Sequence, residues 1–130
     1  MDRILRSTLF RLIFFMTLFV ILVLALLPAK DVKDYGFAYD KLNHALAFFV
    51  LMLLARFAWP RISALIPVVG LLLLGGGIEM GQYVVGRDAA LGDVVADGVG
   101  VLTALIILQL LRYGQRAVKK SAARPSLESE

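Results

Sequence analysis

Four long apolar stretches divide the chain: Leu12–Leu27, Leu42–Trp59, Ile62–Val85 and Val94–Leu111. The first carries no charge and stops at Pro28. The second is interrupted by Asn43, His44 and Arg56, and the third by Ser63, Glu79, Gln82 and Tyr83, with Pro67 in its first turns. The fourth holds a single charge, Asp97, near its start. A bilayer core about 30 Å thick needs roughly 17–25 helical residues at about 1.5 Å each. With flanking residues reaching the interface, the pattern predicts four transmembrane helices over about 9–27, 42–59, 62–85 and 93–111. The expected fold is all-α: a polytopic antiparallel four-helix bundle spanning residues 1–111.

The connections are short, and the Pro60–Arg61 joint predicts a tight hairpin between the second and third helices. Residues 112–130 (RYGQRAVKKSAARPSLESE) are polar and lack apolar periodicity, which predicts a frayed, basic cytoplasmic tail. The glycines at 75–77 predict a loosened third helix just below Glu79.

Composition sharpens this picture. Of 130 residues 60% are apolar and only 18% charged, with a mean hydropathy of +0.83. A soluble domain of this size has too much surface to hide that much apolar side chain. The absence of cysteine excludes disulfides, thiolate metal sites and thiol nucleophiles. The net charge of +4 is placed by topology, since ten of the 14 Lys and Arg residues fall on the side of the chain termini. Lys30, Lys33, Lys41 and Arg87 fall on the other. Basic residues resist translocation, so both termini are expected in the cytoplasm and no nucleic-acid partner is needed to explain the charge. The first segment also has the basic start and Ala29 of a signal peptide, but its apolar run is long for one and Leu27 fits a cleavage site poorly. Helices two to four keep their orientation in either case.

Charged side chains are costly at mid-bilayer, about 2.5–3.5 kcal/mol each on insertion scales. Here they cluster. Asp40, Lys41 and His44 open the second helix at its outer end, Glu79, Gln82 and Tyr83 close the third, and Asp93 and Asp97 open the fourth. Arg87 lies in the loop between the last two. His44, Glu79 and Asp97 are expected roughly 3–8 Å below the outer surface. Lys41/His44 and Glu79/Gln82 are spaced i, i+3 and Asp93/Asp97 i, i+4, so each pair shares a helix face. Gly92, Ala96, Gly100 and Ala104 form a small-residue ridge on the fourth helix, and Gly77 and Gly81 a second on the third. Small residues let membrane helices approach closely, within one chain or between copies in an oligomer. Tyr35, Tyr39, Tyr83 and Trp59 read as interface-belt residues, and Arg56 as a side chain reaching out to the inner surface.

Three blocks, DKLNHALAFFVL, GIEMGQYVVGR and LGDVVADGVGVL, together resemble the VanZ-like family of small bacterial membrane proteins. The resemblance runs from about Asp40 to Ile107. It implies a multi-pass protein of the bacterial cytoplasmic membrane, with Lys41, His44, Glu79, Gln82, Arg87 and Asp93 as the matching polar positions. The family commonly has Pro where this chain has Val85, and Asn where it has Asp97. It also implies a connection with glycopeptide (teicoplanin) susceptibility.

Three readings of the cluster follow. In the first, Lys41, His44 and Arg87 bind an anionic envelope lipid or lipid-linked cell-wall precursor, while Glu79, Gln82, Asp93 and Asp97 orient them and meet polar groups. In the second, Asp93 and Asp97 with Glu79 and His44 hold a divalent cation that serves lipid phosphoryl transfer or phosphatase chemistry, with His44, Glu79 and Asp93 as candidate catalytic groups. No complete catalytic motif supports that enzyme reading. In the third, the cluster is a polar network that fixes helix packing.

Overall fold

A computed structural model describes residues 2–27, 37–86 and 90–122, the side chains of 37–40 excepted. Its elements are α1 (Arg3–Ala25), α2 (Phe37–Ala58), α3 (Leu65–Val84) and α4 (Leu91–Ala122), with no strand among the described residues. All four helices are long and apolar enough to cross a membrane, the make-up of a multi-pass membrane protein.

Local chemistry sets the helix ends. The last bond of α2 runs from Trp59 N–H to the Ala55 carbonyl at 3.0 Å, and Pro60 then disfavours helical backbone at the residue before it. Ser63 Oγ accepts from Leu65 N–H at 3.3 Å as α3 begins. Pro67 falls in its first turn, where a missing N–H costs nothing. At the other end Val85 N–H bonds the Gly81 carbonyl and Gly86 turns the chain at φ 75°, a conformation that favours glycine. The glycines at 75–77 do not interrupt α3, which is continuous through them.

Several boundaries differ from the expectation: α1 begins at Arg3 rather than about 9, and α2 at Phe37 rather than 42. Residues 59–64 join α2 to α3, a longer connection than a two-residue hairpin. The fourth helix runs on to Ala122 where the loss of apolar periodicity predicts an end at 111. Arg, Gln, Ala and Lys are good helix formers, and an established helix adds each further bond without a new nucleus. From Leu110 onwards every described residue is exposed, so this extension is a bare helix without packing partners. Its 32 residues span about 48 Å, which outruns a bilayer core of about 30 Å.

The core consists of Phe48, Leu51, Met52, Leu71, Ile78, Val101 and Ala104, with α2 at its centre. The most extensive contact is between α2 and α4, because the small-residue ridge of α4 faces α2. A Cβ at Gly100 would collide with the Ala45 carbonyl and the Phe49 N–H, and Ala96, Gly100 and Ala104 are all buried. α1 buries no residue completely. It leans on the core through Phe14, Leu18, Ile21 and Leu22 and leaves Leu12, Phe15, Phe19 and Leu24 exposed.

At the α2–α3 junction Arg56 does not reach outward as expected. It is buried and donates from Nη1 to the Ile62 carbonyl at 2.9 Å. Arg11 of α1 donates from Nε to the Ala58 carbonyl at 3.3 Å. Its guanidinium lies 5.8 Å from the Trp59 ring centroid, and Phe14 meets that ring edge-on at 5.3 Å. The freed carbonyls at this end thus take arginine donors.

Gly100→Ala is expected to lower the thermal unfolding midpoint in detergent, at a cost of about 1–3 kcal/mol for overpacking. Gly76→Ala, which meets nothing within 4 Å, should be neutral or stabilising by up to about 1 kcal/mol. Equal effects at the two positions would contradict the α2–α4 contact.

Candidate functional site

The start of α2, the end of α3 and the start of α4 meet in one polar cluster. Lys41 Nζ donates to Asp93 Oδ1 at 2.7 Å, and three residues along α2 His44 Nδ1 lies 2.9 Å from Asp97 Oδ1. The next step along the same seam is the Ala45–Gly100 backbone approach. Contacts therefore advance together along both helices, so α2 and α4 lie side by side and run the same way. The i, i+3 spacing on one helix matches the i, i+4 spacing on the other.

Glycine makes room for both side-chain contacts. A Cβ at Gly92 would strike the Lys41 ammonium, and one at Gly75 of α3 would strike Asp97 Oδ2. Gly75 thus gives space to a carboxylate rather than loosening its helix. Asp97 is completely buried, and Asp93 is 3% exposed. The Lys41 side chain keeps 24% of its surface accessible and that of His44 11%. Lys41 is the edge of the cluster and Asp97 its floor.

Glu79 enters from α3 and is 7% exposed. Its Oε2 accepts from the Ala90 N–H at 2.8 Å, one of the donors left open where α4 begins. A carboxylate there also faces the positive end of the α4 dipole. Among the described residues its other oxygen, Oε1, has no hydrogen-bond partner, and neither has Asp97 Oδ2. Gln82 points elsewhere. Its Nε2 donates to the Ala25 carbonyl at 3.2 Å, closing the end of α1.

Of the residues singled out in the sequence, Lys41, His44, Glu79, Asp93 and Asp97 come together. Gln82 is adjacent but serves α1, and Arg87 lies outside the described residues. One ligating atom each from His44, Glu79 and Asp93 lie within 4.8 Å of one another. These three form a candidate metal-ligating set. The best-formed grooves among the described residues lie away from the cluster, along α4 around Leu110 and Tyr113.

Sequence spacing missed two roles. Nothing in the residue types announces that Glu79 meets a backbone N–H of the next helix or that Gln82 closes the end of α1. Both follow from where the helix ends fall. No protein-family model matches the chain, no curated protein is significantly similar to it, and no solved structure matches its fold.

A double-mutant cycle with Lys41→Met and Asp93→Leu, read by unfolding in detergent, tests the seam. Each single change should destabilise, and the pair should be less harmful than their sum by about 0.5–2 kcal/mol, the range of intramembrane polar contacts. Strict additivity would contradict the ion pair.

Proposed function

We propose that the chain is a VanZ-like protein of the bacterial cytoplasmic membrane whose polar cluster binds the phosphate-bearing headgroup of an anionic envelope lipid or lipid-linked wall precursor. Its four helices alternate in direction, with both termini in the cytoplasm and the cluster at the outer surface. The shared direction of α2 and α4 supports alternation, since two crossings separate their starts. The concentration of Lys and Arg on the side of the termini supports the orientation.

One observation carries the binding reading: the Lys41 side chain keeps 24% of its surface accessible, while the carboxylate of Asp93 that holds it is buried. Lys41 stands at the accessible edge, where an ammonium held by Asp93 can also meet a phosphate oxygen. Arg87 is the second cation that this reading assigns to the headgroup. The pairing of Lys41 with Asp93 and of His44 with Asp97 favours a second reading, in which the cluster only joins helices.

Lipid that co-purifies with the protein separates the two. Mass spectrometry of extracts should find one anionic class enriched over the bulk membrane. Lys41→Met and Arg87→Ala should each reduce it by about tenfold, the loss of one charge-assisted contact, while the protein stays folded. Lipid that mirrors the bulk membrane, or a Lys41→Met protein that fails to fold, would favour the packing network.

A further inference from the structure

We infer that His44, Glu79 and Asp93 form a binding site for one divalent transition-metal ion, of the kind that accepts mixed imidazole and carboxylate ligands. The site needs no lipid and stands whether or not the headgroup reading holds.

Three observations converge on it. First, one ligating atom of each residue lies within 4.8 Å of the others. Around an ion with tetrahedral ligand bonds of about 2.0–2.2 Å, donors lie roughly 3.3–3.6 Å apart. Closing the set around a metal therefore shortens each separation by at most about 1.5 Å, within the reach of side-chain torsions. Second, Glu79 is 7% exposed and its Oε1 has no hydrogen-bond partner. A buried carboxylate oxygen left without a donor is where a cation gains most, because it replaces the lost hydration of that oxygen.

Third, each ligand is already held from behind. Asp97 Oδ1 holds His44 at Nδ1 at 2.9 Å, Lys41 holds Asp93 at Oδ1 at 2.7 Å, and the Ala90 N–H holds Glu79 at Oε2 at 2.8 Å. Metal-ligating histidines commonly donate one ring N–H to a carboxylate, which fixes the tautomer and leaves the lone pair on the other nitrogen. Outer contacts to all three candidate ligands are the arrangement that preorganises a metal centre.

The chemistry of the set selects the ion: imidazole with two carboxylates suits Zn²⁺ or Mn²⁺, whereas Mg²⁺ and Ca²⁺ prefer oxygen ligands throughout. Asp97 touches no metal in this arrangement. It is a positioning residue that acts through the His44 ring.

The full chain, purified, stripped with a chelator and returned to nanodiscs, provides the test by calorimetric titration with Zn²⁺, Mn²⁺ and Mg²⁺ as chloride salts. One equivalent of Zn²⁺ or Mn²⁺ should bind, at least about tenfold more tightly than Mg²⁺, and should raise the unfolding temperature. Glu79→Gln and His44→Gln should each abolish that rise. Asp97→Asn should retain binding but weaken it by about 10–100-fold, as loss of an outer-shell partner does. Thr103→Ala, on an exposed part of α4, should bind as wild type does. Folded wild-type protein that takes up neither Zn²⁺ nor Mn²⁺ would overturn the site. So would Glu79→Gln and His44→Gln proteins that bind the ion as tightly as wild type.

Discussion

A carboxylate removed from water and placed between helices must be met by partners from the same chain, because hydrocarbon supplies none. Asp97 is that carboxylate here. It is fully buried, it faces His44 of α2, and it presses on the bare α-carbon of Gly75 in α3. The position of one side chain thus sets the approach of three helices. Lys41–Asp93 repeats the arrangement one turn nearer the helix starts, and Gly92 supplies the space for it.

Where apolar surface gives no drive for association, close packing and polar contacts must supply it. The α2–α4 seam combines both, since the helices touch at Gly100 and Ala45 directly beyond the Lys41–Asp93 and His44–Asp97 contacts. α1 shows what happens without them. It has no charge after Arg11 and no fully buried residue, and its polar links to the bundle include those from Arg11 to the Ala58 carbonyl and from Gln82 to the Ala25 carbonyl. The unsatisfied oxygens of Glu79 and Asp97 mark where the seam holds more polarity than association requires.

The four spans were legible because their signal is a sum over some twenty residues each, and no single position decides it. The meeting of Lys41, His44, Glu79, Asp93 and Asp97 was legible because i, i+3 and i, i+4 spacings fix a shared face. What escaped were contacts from side chain to backbone. Arg56 to the Ile62 carbonyl, Glu79 to the Ala90 N–H and Gln82 to the Ala25 carbonyl all depend on where a helix stops. A stop is set by one or two residues and shifts easily. The run of α4 to Ala122 escaped for a related reason: apolar periodicity reports burial, and an exposed helix has none to report.

The account stands on Lys41 and Asp93 facing each other across the start of the α2–α4 seam. Because the chain has no cysteine, replacing both by cysteine gives an unambiguous pair for a short thiol crosslinker in native membranes. The account predicts efficient crosslinking within one chain for positions 41 and 93, and none for position 41 with a cysteine at Thr103, further along α4. Equal crosslinking to both positions, or none to position 93 in folded protein, would contradict it.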